Sequence, residues 1–301
     1  MEVTRSRSRG DRIFDAVIFI LLTFVFLIVA YPLYFVIISS LSDPLAVTGG
    51  KVTLYPVGLT LDGYAAVFRH KTVLPTFLNS IKYTVVGVCI NLAVTIPTAY
   101  AMSRRDFFAK KPIMLFYVLT MFLSGGMMPT YIIVRDLGML NTVWALTIPG
   151  ALSVYNMVVA RTFFTTNIPE ELFEAAKLDG CGNTRFFLLV VLPLSSAIIA
   201  ILTLYYGVGH WNSYYSALLY ISDRKMWPLQ MELRTILLLN ETQNVNQVLT
   251  AEQQAEKKRL EALSDMMKYS LIIVSCIPVM IIYPFVQKHF VKGVLIGSVK
   301  G

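Results

Sequence analysis

Ile168-Pro-Glu-Glu-Leu-Phe-Glu-Ala-Ala-Lys-Leu-Asp-Gly180, continuing through Phe186 to Leu192-Pro193, is the stretch on which the rest of the chain hangs. Pro169 fixes a helix start, because its missing N–H costs nothing at the first helical position. Glu170 and Glu171 follow in the first turn, where the helix dipole favours carboxylates. Leu172, Ala175, Ala176 and Asp179 recur at helical spacings. Gly180 ends the helix, since glycine takes the left-handed conformation cheaply. A second helix is expected from about Thr184, passing Pro193. The product is a short amphipathic helix with small residues at its centre and carboxylates on one side. Small residues let another protein surface come close, and the carboxylates offer charge-assisted bonds to a partner's arginines.

Apolar runs flank this hairpin on both sides, at about 140–160 and 188–208. Further out lie four more, at about 13–41, 77–102, 112–134 and 269–287. Each is near the roughly 20 residues that cross a bilayer. Composition agrees: 56% of residues are hydrophobic and only 15% charged, against roughly 25% charged in ordinary soluble domains. The expectation is an all-α integral membrane protein with six transmembrane helices. Gly125, Gly126 and Pro129 interrupt the third run, as a kink or a close helix contact.

The net charge of +8 is spread over the flanks of the apolar runs, the pattern of membrane orientation and not of nucleic-acid binding. Arg5, Arg7, Arg9 and Arg12 precede the first run, whose uncharged stretch from Ala16 to Ser42 is too long for a cleaved signal and reads as a retained anchor. Arg104, Arg105, Lys110 and Lys111 lie between the second and third runs. Arg161, Lys177 and Arg185 lie between the fourth and fifth, and Lys288, Lys292 and Lys300 close the chain. The connection between the third and fourth runs holds only Arg135, balanced by Asp136. Both ends, a 1–12 tail and a 289–301 tail, are therefore expected in the cytoplasm, as is the 161–187 loop. The 13–288 region is the membrane domain. The 209–268 connection falls outside, with a helix expected at about 250–267 from the Thr250–Gln253 capping box and the helix-forming composition that follows.

The central segment resembles the EAA loop of ATP-binding-cassette (ABC) import permeases. Glu174-Ala175-Ala176, Gly180 after three residues and Leu192-Pro193 fit the family spacing, with Val190 standing where the family has isoleucine. His210-Trp211-Asn212, Pro228-Leu-Gln230, Tyr283-Pro-Phe-Val-Gln287 and the ending Lys292-Gly293 to Lys300-Gly301 are similar to carbohydrate-uptake permeases of the maltose-transporter type. Ser124-Gly-Gly126 with Pro129 resembles their complex-oligosaccharide branch, the lipoprotein or aldouronate permeases. The resemblance implies a type I ABC importer permease fold in a bacterial plasma membrane. It implies a cytoplasmic coupling helix that presents Glu170, Glu171, Glu174, Ala175, Ala176, Asp179 and Gly180 to an ABC ATPase dimer. It also implies a second homologous permease and an extracellular solute-binding protein as partners. ATP and magnesium would belong to the ATPase, and this chain would bind no cofactor.

What the chain lacks fits that division of labour. Gly49-Gly50-Lys51 is followed by Val52 and lacks the first glycine of a phosphate-binding loop. The three histidines are scattered and Cys89, Cys181 and Cys276 show no metal spacing. No metal or catalytic set is expected, and Asn240-Glu241-Thr242 carries no role. His210, Trp211, Asn212, Tyr214 and Tyr215 supply the aromatic and amide groups that suit sugar rings and hydroxyls. An aromatic belt at the membrane interface gives the same pattern. Two other functions stay open: the same architecture carrying a polyol or phosphodiester, and an ion-coupled transporter. The latter needs ionisable groups at the midplane, where the six runs are nearly free of them; Lys82 sits close to one end.

Overall fold

The structure, a computed structural model, describes residues 9–239 and 251–298. Thr250, Asn240–Thr242, Arg5, Arg7 and Lys300-Gly301 lie outside the described residues. Among the described residues the regular structure is entirely helical. In chain order the helices are α1 (Arg9–Ser40), α2 (Pro44–Thr48), α3 (Asp62–Arg69), α4 (Val73–Ser103), α5 (Lys110–Phe122), α6 (Met127–Asp136), α7 (Val143–Thr147) and α8 (Val154–Asn167). They continue with α9 (Glu170–Leu178), α10 (Asn183–Phe186), a π-turn (Phe187–Val191), α11 (Leu192–Leu194), α12 (Ser196–Trp211), α13 (Tyr215–Tyr220), a 3-10 turn (Arg224–Met226), α14 (Leu229–Leu239) and α15 (Ala251–Ser298).

Three helical stretches, Gly10–Ser40, Val73–Ser103 and Ala262–Pro284, are long and apolar enough to cross a membrane singly. At 1.5 Å per residue the 31 residues of α4 reach about 46 Å, more than a hydrocarbon core needs. Two bent pairs raise the count to as many as five: α5 with α6, bent by 113°, and α10–α11 with α12, bent by 78°. The run at 112–134, where a kink or a close helix contact is expected at Gly125, Gly126 and Pro129, is thus two helices. Its break falls at Ser124-Gly-Gly126, where Gly126 has φ +85° and ψ 179°, a conformation closed to side-chain-bearing residues. The span expected at 140–160 is likewise split. Residues 148–153 leave the helix between α7 and α8, around Pro149 and Gly150. At the other end of the chain, the helix expected at about 250–267 and the run at 269–287 form one continuous helix, α15, which runs on through Pro278 and Pro284.

The chain divides into two compact units. In the first, residues up to His70 with Ile236–Ser275, α1 is exposed almost throughout, and burial begins only at its C-terminal end. There Ser42 Oγ donates back to the Ile38 carbonyl at 2.6 Å, and Ser40 Oγ shares a 2.8 Å hydrogen bond with Tyr64. Asp43 caps α2 through the amides of Leu45 and Ala46. Gly63 lies directly against Ser270 and Met266, leaving no room for a side chain. Val67, Met266 and Leu271 are fully enclosed.

The second unit, Lys71–Thr235 with Cys276 onward, is built on α4, which packs against α12, α8 and α7. The buried positions of α4 include Thr76, Ser80, Tyr83, Gly87, Asn91, Thr95 and Ala99, spaced three and four apart on one face. An apolar helix with a polar buried face has backbone to satisfy elsewhere. Ser80 Oγ accepts from the Leu229 amide at 2.7 Å, Tyr83 donates to the Met226 carbonyl at 2.7 Å, and Asn79 donates to the carbonyls of Lys225 and Trp227. These bonds hold the irregular 221–229 segment. Glu232, fully buried, accepts from Thr72 at 2.5 Å and Arg224 at 3.0 Å. Further along, Asn91 donates to the carbonyls of Gly150 and Ala151, inside the break between α7 and α8. Non-helical backbone at membrane depth is tolerated only with such internal partners.

Candidate functional site

The helix α9 forms where local chemistry demands it. Pro169, at φ −60° and ψ 144°, stands just outside the first turn, and Glu170 and Glu171 occupy that turn. The C-terminal end is a Schellman turn. The Cys181 amide donates to the Ala176 carbonyl at 2.9 Å, and the Gly180 amide to the Lys177 carbonyl at 3.1 Å. Gly180 takes φ +73° to close it. The chain then enters α10, the π-turn and α11, and turns by 78° into α12. Leu192-Pro193 sits just before that corner, where Ser195 Oγ donates back to the Val191 carbonyl at 2.6 Å.

Phe173 is the buried side chain of α9. It is 9% exposed and joins a core cluster with Met102, Met157, Phe164, Phe186 and Val191. Its ring meets Phe186 edge to face, centroids 5.4 Å apart. On the other side the Arg104 guanidinium lies 3.6 Å from its centroid. Arg104 is held in turn by Asp106, Nε to Oδ1 at 3.1 Å. That hydrogen bond, with the neighbouring charges of Arg104 and Lys177, holds the Asp106 carboxyl below the ordinary carboxylate range. At the helix start, Arg105 pairs with Glu170 at 2.9 Å. Arg105 is largely exposed, so this pair contributes little to stability.

The opposite side of α9 is open. Glu171, Leu172, Glu174, Ala175, Asp179 and Gly180 are exposed, and Leu178 is 91% exposed. Ala176 is half-buried. The structure therefore gathers the seven expected residues on one short helix and its turn. Five of them, Glu171, Glu174, Ala175, Asp179 and Gly180, are exposed around an uncovered leucine, and Glu170 and Ala176 are half-buried.

The five aromatic and amide candidates are not gathered in the same way. His210 is half-buried, and its Nε2 lies 2.7 Å from Asn91 Oδ1. An amide oxygen can only accept, so Nε2 carries the proton. Its ring lies directly against Gly87, where a Cβ would collide with it. Trp211 is 5% exposed, packs edge to face on Phe77 at 5.6 Å, and lines an apolar groove of about 240 Å³ with Val85, Val88 and Ile282. Asn212, Tyr214 and Tyr215 are exposed, and Tyr215 donates to Met127 Sδ at 2.7 Å. His210 and Trp211 thus point into helix packing, and the other three point away from it.

A buried polar network was not legible as a site in the sequence. Asn91 joins His210 to the 148–153 break; Thr95 shares a 2.7 Å bond with Tyr206, whose hydroxyl also accepts from the Ser153 amide at 3.2 Å. The available signal was Ser80, Tyr83, Gly87, Asn91 and Thr95 at three- and four-residue spacing in an otherwise apolar run. Among the described residues no group of three or more His, Cys, Asp or Glu could hold a metal ion.

No protein-family model matches the chain. The polygalacturonan/rhamnogalacturonan transport system permease protein YtcP of Bacillus subtilis is 37% identical over 295 residues, covering 97% of this chain and 99% of that protein. The chain belongs to the permease family of ABC sugar importers. Protein LplC of the same organism is also 37% identical, over 99% of this permease and 98% of its own length. Among solved structures, a crystal structure of a bacterial ABC transporter involved in the import of the acidic polysaccharide alginate superposes with a TM-score of 0.85. That match covers 95% of this permease and 100% of the solved chain at 31% identity. The permease is thus a membrane protein with the all-helical fold of an ABC importer subunit.

Proposed function

We propose that this permease translocates an oligosaccharide rich in uronic acid, delivered by an extracellular solute-binding protein and driven by a separate ABC ATPase. The observation that carries the coupling part is α9. It is anchored in the core chiefly by Phe173, with Ala176 beside it, and leaves Leu178, Ala175 and the carboxylates of Glu171 and Glu174 uncovered. An exposed leucine ringed by small residues and carboxylates fits a docked partner carrying arginines. The ATPase supplies ATP and magnesium chemistry, and this chain supplies none. A second homologous permease completes the pathway. Six crossings follow if α7 and α8 together make the fourth, with both termini and α9 in the cytoplasm. The uronate preference is supported by similarity to permeases for pectic polymers and alginate.

The test is reconstitution in proteoliposomes with the second permease, the ATPase and the binding protein. ATP-dependent uptake of galacturonate oligosaccharides should exceed uptake of neutral maltodextrins, and Glu174→Lys should abolish it while leaving the chain inserted. Uptake of a polyol or phosphodiester with no uptake of any oligosaccharide would overturn the substrate reading. Full uptake by Glu174→Lys would overturn the coupling reading.

A further inference from the structure

Beside α9 lies a polar pocket of about 440 Å³ whose lining includes Arg104, Arg105, Lys110, Arg161, Glu170 and Glu171. It forms where the end of α4, the start of α5, the end of α8 and the start of α9 converge. Four cations face two carboxylates, and the pairing is uneven. Arg104 is matched by Asp106 and Arg105 by Glu170. Among the described residues, the hydrogen-bond partners of Lys110 and Arg161 are carbonyls: Lys110 Nζ donates to Arg104 O at 2.9 Å, and Arg161 Nε to Met102 O at 3.1 Å. Both are half-buried. Glu171 is the one lining carboxylate left to offset these two partly desolvated cations, so the pocket keeps a net positive charge that an anion would lower in cost.

We propose that this pocket is a binding site for a phosphate group. A guanidinium offers a planar fork to phosphate oxygens and a lysine a compact charge; Lys110 opens α5 and Arg161 lies midway along α8. Basic pockets between membrane-crossing helices at the membrane surface suit anionic headgroups. The phosphate can come from a lipid headgroup or from a soluble phosphate. The inference stands on the pocket's own chemistry and holds whether or not α9 couples to an ATPase. The competing account is that Lys110 and Arg161 only cap the last carbonyls of α4; capping requires no ligand.

The experiment uses the intact importer in phosphatidylcholine nanodiscs, in two arms. Native mass spectrometry counts phosphatidylglycerol retained as its fraction is raised, and a thermal-shift titration reads inorganic phosphate in its absence. At least one arm should saturate. Lys110→Gln and Arg161→Gln should each weaken that binding about fivefold, the scale of one cation near a membrane surface. Lys111→Gln, an exposed neighbour outside the pocket lining, should leave it unchanged. Saturation by lipid alone assigns a headgroup, and saturation by phosphate alone assigns a soluble ester. Absence of binding in both arms overturns the proposal, as does equal weakening by all three variants, which would mean bulk charge. If Arg161→Gln fails to assemble, Lys110→Gln decides by itself.

Discussion

Phe173→Ala isolates the attachment of α9, because Phe173 is the one buried side chain on that helix. Truncating a buried phenylalanine costs about 3–5 kcal/mol. The lower end suits this site, because the Schellman turn at Gly180 and the chain on both sides still tether the helix. The Arg104 stack at 3.6 Å is lost as well; such contacts contribute about 0.5–2 kcal/mol. Taking about 3 kcal/mol, and about 1.4 kcal/mol per tenfold, the detached state of α9 gains roughly a hundredfold in population. Hydrogen exchange of the 172–179 amides should accelerate by about that factor, since local opening sets it. Amides in α4 and α12 should keep their rates. In proteoliposomes, stimulation of ATP hydrolysis by loaded binding protein should fall while unstimulated hydrolysis persists. Phe173→Leu, which keeps most of the apolar volume, should fall between the two. Unchanged exchange across 172–179 in Phe173→Ala would show that something other than this side chain holds the helix, and the reasoning would be wrong.

Gly180 stands at φ +73° with no atom near enough to obstruct a Cβ, so only the backbone conformation restricts it. Gly180→Val should therefore cost about 1–2 kcal/mol in the turn and weaken copurification of the ATPase, whereas Gly180→Asn should copurify nearly as well as the parent. Equal copurification for both would remove the turn from the coupling account. Asn91→Leu keeps the branched shape of the side chain but leaves the Gly150 and Ala151 carbonyls and the His210 Nε2–H without their partner. At about 1–3 kcal/mol for each buried group left unsatisfied, the melting temperature of the purified permease should drop clearly, and an unaltered melt would mean that the 148–153 break is satisfied by other means.

What the sequence determined by itself is what acts within a few residues or sums along one segment. Pro169 and the acidic first turn start α9, and Gly180 stops it; both effects are confined to a single turn of backbone. The apolar runs and their basic flanks specified a helical membrane protein, because lipid imposes one solution on any long uncharged segment. Hydropathy, however, reports that a segment is apolar and not that its backbone is continuous. The breaks at Ser124-Gly-Gly126 and at 148–153 are bends in apolar stretches, and the second survives because Asn91 supplies donors from 59 and 60 residues away in the chain. The same distance hid the neighbours of His210 and Trp211, which lie against Gly87 and Phe77. Nor could a sequence tell which arginine stacks on Phe173 and which faces a carbonyl, because that choice is made where the ends of α4, α8 and α9 meet, and only tertiary packing brings those ends together.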